Sequence, residues 1–153
     1  MSTFEGLLFG HLLAVAVWVG GAAMLQVFAI RATLAGPERV AQFAGDVEWI
    51  GSRILSPASG LVVLFGVLLV LTEDAFGFSQ AWIWLALVMF AVSAATGAAF
   101  LGPESGRINR IAAREGPASP EVGRRVKRVV AIARIDLLLL VLIILDMVVK
   151  PGF

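Results

Sequence analysis

The sequence predicts an all-α polytopic membrane protein, a bundle of four transmembrane helices with a short amphipathic helix at the bilayer interface. Two observations carry this. The 153 residues are 59% hydrophobic with a mean hydropathy of +0.94, and only 15% are charged, against about 25% in soluble domains. The apolar residues are also gathered into separate uncharged stretches, each near the ~20 residues that cross a bilayer. A soluble fold of this length buries one core and cannot hide several such stretches. The spans fall at 6–30, 54–72, 80–101 and 129–149, in a single domain covering 1–153.

The first span is the uncharged run from Gly6 to Ile30, bounded by Glu5 and Arg31, with His11 and Gln26 its only strongly polar members. The residues before it carry no Lys or Arg and the run is too long for a secretory signal, so this helix is expected to stay in the protein. From Pro37 to Ile50 the pattern changes. Val40, Phe43, Ala44, Val47 and Ile50 recur at helical spacing among Glu38, Arg39, Gln42, Asp46 and Glu48, which predicts a helix lying on the membrane surface. Arg53 and Glu73 bracket the second span, where Ser56 and Pro57 are either its N-cap and first helical position, the preferred reading, or a kink in a longer helix. Trp82 and Trp84 open the third span at an interface, where indoles are enriched, and Gly102 and Pro103 close it. Gly116, Pro117, Ser119 and Pro120 break the polar segment that follows, and Ser119 with Pro120 starts a helix. That helix runs through Arg124, Arg125, Lys127 and Arg128 into the fourth span, centred on Leu137 to Leu145 and ended by Lys150 and Pro151. No internal repeat stands out.

The loops set the orientation. The first and third contain Arg31, Arg39, Arg53, Arg107, Arg110, Arg114 and the basic patch, whereas the second has Glu73 and Asp74 and no cation. By the positive-inside rule the first and third loops are cytoplasmic, so both termini face outward. The basic patch is accounted for by topology and anionic lipid, and nucleic acid is not an expected partner. With no cysteine, disulfides, thiolate metal sites and thiol nucleophiles are excluded. No phosphate-binding glycine loop, zinc-protease helix or serine-hydrolase motif is present.

Ionisable groups inside a bilayer are costly and mark function or helix pairing. His11, the single histidine, lies ~9 Å along the helix from Glu5. A neutral imidazole there can ligate haem iron or copper, or hydrogen-bond a neighbouring helix. Trp18, seven positions on, shares its face and walls an apolar pocket or packs in the core. If the first helix descends and the fourth ascends, Asp146 reaches the height of His11, where it can orient the imidazole or pair with Lys150 at i+4. Met147 supplies a thioether at that level, as a ligand or as packing. Asp136, at the other end of the span, is expected to pair with Arg53 or Arg31, pinning the fourth helix to the first or second.

With His11, Trp18, Gly20 and Gly21 in the first helix, Arg53 and Pro57 opening the second, and Asp146, Met147, Lys150 and Pro151 at the end, the chain resembles a bacterial family of predicted four-helix integral membrane proteins of unknown function. The segment HLLAVAVWVGG is also similar to the corresponding helix of the copper-resistance D domain and, more distantly, of the haem-binding bacterial protoporphyrinogen oxidases. The latter resemblance implies haem b on His11. It also implies a membrane lysine, which this chain does not place in its second or third span. The expectation is an inner-membrane protein binding b-type haem through His11 for electron transfer or redox chemistry, the second ligand being Met147, water, another side chain, or His11 of a second copy in a homodimer. Two alternatives stand beside it: copper handling or transport through His11, Met147 and Asp146, and a cofactor-free accessory subunit of a larger membrane complex.

Overall fold

The structure, a computed structural model, describes residues 2–152 and is built from helices. They are α1 (Thr3–Ala35), α2 (Pro37–Ile50), α3 (Ser56–Thr72), α4 (Ala81–Thr96), α5 (Gly102–Glu115) and α6 (Pro120–Val149), with π-helical turns at Gly51–Leu55 and Gly97–Leu101. A capping box starts α1: Ser2 Oγ accepts from the Glu5 N–H at 3.2 Å while the Glu5 carboxylate accepts from the Ser2 N–H at 2.7 Å. Ser119 caps α6 with Pro120 in its first turn, as expected.

Two expectations about helix ends are corrected. The segment 37–50 is not a separate surface helix, because the π turn carries it without a break into α3. Ser56 has αR backbone angles and caps nothing. Likewise Gly102 and Pro103 do not close the third helix, which passes through the second π turn into α5. The physical reason is the same in both places. A proline inside a helix has no N–H for the carbonyl four residues back and crowds that carbonyl with its ring. Here the turn before each proline is widened: the Ser56 N–H bonds the Gly51 carbonyl and the Gly102 N–H bonds the Gly97 carbonyl, five residues back. Gly51, Leu55 and Pro57 thus match Gly97, Leu101 and Pro103, a short repeat invisible until the turns are seen.

Among the described residues, three continuous helices are long and apolar enough to cross a membrane: Thr3–Ala35, Pro37–Thr72 and Ala81–Glu115. The expected fourth span is not among them, since Arg134, Asp136 and Asp146 interrupt the apolar sequence of α6. With 33 residues, α1 is ~50 Å long, well beyond the ~30 Å of a hydrocarbon core.

The helices pack in two stacked halves. In the apolar half Ala14, Trp18, Ala58, Val62 and Leu140 form a core. In the basic half Ala44, Ile108, Ala112 and Val122 form a second one, with Ile108 and Val122 only 1% exposed. Glycine allows α2 and α5 to approach closely there: a Cβ on Gly106 would stand 3.0 Å from the Glu48 carboxylate. Glu104, buried on α5, is gripped by Arg125 of α6, which also bonds Glu121 at 2.6 Å, and Arg124 adds a 2.5 Å contact to Glu121.

This network fixes a pH response. The hydrogen bond from Arg125, then the contacts with Arg124, hold the Glu121 carboxyl below the ordinary glutamate range. A depressed folded-state value means the contribution is complete above the unfolded value of ~4.3 and is lost as the pH falls through the lowered one. Hydrogen-exchange protection in the first turns of α6, corrected for intrinsic rates, should be flat from neutral pH to that range and fall below it. Loss of protection already near neutrality would contradict this.

Candidate functional site

In the apolar half α1, α3, α4 and α6 enclose a cavity of about 320 Å³, at the small end of the ~300–1,000 Å³ of ligand sites. His11, Trp18, Met147 and Lys150 all line it. The His11 ring lies against α3, where its Nδ1 is 3.0 Å from the Val62 carbonyl. Only a donated Nδ1–H makes that contact favourable, which leaves the lone pair on Nε2. Gly66 makes the approach possible, since a Cβ there would stand 3.2 Å from His11 Cε1.

Aromatic rings form much of the remaining wall. Trp18 meets Phe90 with centroids 5.2 Å apart, and Phe76 meets Trp82 edge-on at 5.7 Å. Trp82, expected at an interface, is 4% exposed and lines the cavity, and its indole N–H finds no acceptor among the described residues. Trp84 is the exposed partner of that pair, its Nε1–H donating to the Phe78 carbonyl at 2.6 Å. Lys150 takes the left-handed conformation that ends α6, and its Nζ lies 4.6 Å from the Phe76 centroid and 5.5 Å from that of Trp82. Such a cation over aromatic faces is attractive, the more so away from water.

The other polar residues are placed differently. Asp146 is 6% exposed, and both its carboxylate oxygens are buried without a hydrogen-bond partner among the described residues. The partner of the His11 Nδ1–H is the Val62 carbonyl. Asp136 accepts a hydrogen bond from Ser93 Oγ at 3.1 Å and, among the described residues, forms no ion pair with Arg31 or Arg53. No three His, Cys, Asp or Glu side chains among the described residues group closely enough to hold a metal ion. Sequence reasoning did not find Val62, Gly66 or Phe90, which the fold brings to His11 and Trp18 from other helices, nor Phe76, which lines the cavity from the α3–α4 connection. A small residue four positions after Val62 on an otherwise bulky stretch was the one available signal.

The model of a family described as "Predicted integral membrane protein (DUF2269)" matches residues 6–151. The chain belongs to this family. That makes it an integral membrane protein, for which a lipid bilayer is the natural surrounding, and the matched region contains every residue of the cavity. No curated protein and no solved structure matches the chain.

Proposed function

We propose that this member of the family crosses the bilayer four times, with α6 as the fourth crossing, and binds b-type haem in the apolar-half cavity for electron transfer or redox chemistry. The observation that supports the reading best is the His11–Val62 hydrogen bond. An imidazole whose Nδ1–H is committed to a backbone carbonyl offers Nε2 as a ligand in a fixed orientation, the arrangement that accompanies metal-bound histidine. Met147 on α6 lines the same cavity and would offer its thioether as a second ligand to a bound haem. Trp18 and Phe90 present flat apolar faces, and the Trp82 N–H and Lys150 ammonium offer a donor and a charge to acidic substituents. A bound haem would supply one-electron exchange. The chain's own part is to hold the ligand nitrogen, exclude water with aromatic walls and balance the substituent charge.

Oxidised and reduced visible spectra of the protein in mild detergent, beside those of His11→Ala, test this. A stoichiometric b-type spectrum lost in the variant is expected. A wild-type protein that stays colourless after expression with added haem would overturn the reading. The His11 and Met147 donors, which line the same cavity, favour copper as the second reading, and metal analysis of the same preparation decides it.

The basic residues at the end of α1, on α2 and α5 and in the first turns of α6 orient the basic half toward the cytoplasm. The natural absence of cysteine makes a clean topology test. On intact cells a membrane-impermeant maleimide should label Ala75→Cys and Gly152→Cys but not Ala118→Cys. Labelling of positions 75 and 152 from opposite sides would rule out the fourth crossing.

A further inference from the structure

A second and larger hollow lies far from His11. The end of α1 and the length of α2 form a groove of about 770 Å³, into which Arg31, Arg39 and Asp46 project beside Phe28, Phe43 and Trp49. Its depth is fixed by the sequence. The uncharged run 6–30 is ~37 Å long at ~1.5 Å per residue, so Arg31 stands where the hydrocarbon of a ~30 Å core gives way to headgroups.

Its chemistry is mixed in a particular way. Arg31 makes no ion pair among the described residues, and Arg39 has only a 2.8 Å hydrogen bond from Nη1 to Gln42. Their charges are not neutralised locally, and Asp46 offsets only one of them. Around them the surface is apolar and open: Trp49 is 57% exposed and Phe28 45%. A soluble anion would use the arginines and leave this apolar surface in water. A lipid uses both.

We propose that the α1–α2 groove binds an anionic phospholipid, with Arg31 and Arg39 on the headgroup phosphate and Phe28, Phe43 and Trp49 along the glycerol and acyl chains. Guanidinium suits the phosphate because its planar fork donates to two oxygens at once. Asp46 and Gln42 add acceptors for a hydroxyl-bearing headgroup such as phosphoglycerol. The proposal rests on α1 being a membrane crossing and is independent of any cofactor at His11.

Trp49 reports the site directly. The protein is reconstituted in phosphatidylcholine vesicles containing equal mole fractions of unlabelled phosphatidylglycerol, with bromine on the chains of either lipid in turn. The Trp49 signal is isolated as wild type minus Trp49→Phe. Quenching by brominated phosphatidylglycerol is expected to show a local enrichment of about fivefold per arginine over phosphatidylcholine, from the attraction of each cation near an anionic surface. It should fall to parity in the doubly substituted Arg31→Gln/Arg39→Gln protein with helicity unchanged. The preference should survive in His11→Ala, which separates this result from the fate of the haem reading. Equal quenching by the two lipids, or a preference that persists in the double variant, would overturn the proposal. So would its removal by soluble glycerol phosphate at constant ionic strength, which would assign the arginines to a soluble anion.

Discussion

Arg125→Leu is expected to destabilise the basic half measurably in a mild-detergent unfolding titration. Removing one member of a pair leaves the other charge uncompensated, and the Glu104 side chain is only 7% exposed against 29% for Arg125. The loss leaves the Glu104 carboxylate in a protein interior with only Arg107 nearby, at 3.8 Å and 61% exposed. Removing both charges should behave quite differently. In Glu104→Leu/Arg125→Leu no charge is stranded, and apolar groups of similar volume can replace a buried ion pair at little cost. The double variant should therefore recover most of what the single one loses. An Arg125→Leu protein as stable as wild type would mean that the pair is effectively solvated, like an ordinary surface contact.

On the haem proposal, Gly66→Leu is expected to lower haem content by about tenfold or more while leaving the helical content intact. Two effects act together. The new Cβ, 3.2 Å from His11 Cε1 and 3.5 Å from Nδ1, displaces the ring from the Val62 carbonyl, and the rest of the side chain occupies the cavity. Disturbing the group that orients a metal-bound histidine typically costs ~10–100-fold in affinity. Gly60→Leu is the control on the same helix, since nothing lies within 4 Å of a Cβ at Gly60. Equal haem content in the two variants would show that the contact with α3 does not position His11.

How much of this was legible in the sequence depends on the distance over which each feature is specified. Local signals read well. The uncharged runs located α1, α3 and α4, Ser119 and Pro120 located the start of α6, and the periodicity from Val40 to Ile50 found α2 with its limits. The errors lie at Ser56–Pro57 and Gly102–Pro103, where proline was taken as punctuation. A proline next to a widened turn and one that ends a helix look alike in sequence, because the difference is in hydrogen bonds made five residues back. His11, Trp18, Met147 and Lys150 were picked by chemistry and depth, and they line one cavity. The groups that complete it come from Val62, Gly66, Trp82 and Phe90, whose placement depends on how α3 and α4 rotate against α1. One sequence carries no direct trace of that rotation.

The two π turns also give the molecule a mechanical anatomy. The helices α1 and α6 run unbroken through both halves, like posts, whereas α2–α3 and α4–α5 are arms, each with one joint at a matching sequence. His11 and Met147 stand on the posts; Val62, Gly66, Trp82 and Phe90 stand on the arms. A torque applied to the basic half would be absorbed or relayed at the joints, so that the walls of the cavity can breathe while the spacing of the two posts that carry His11 and Met147 is kept.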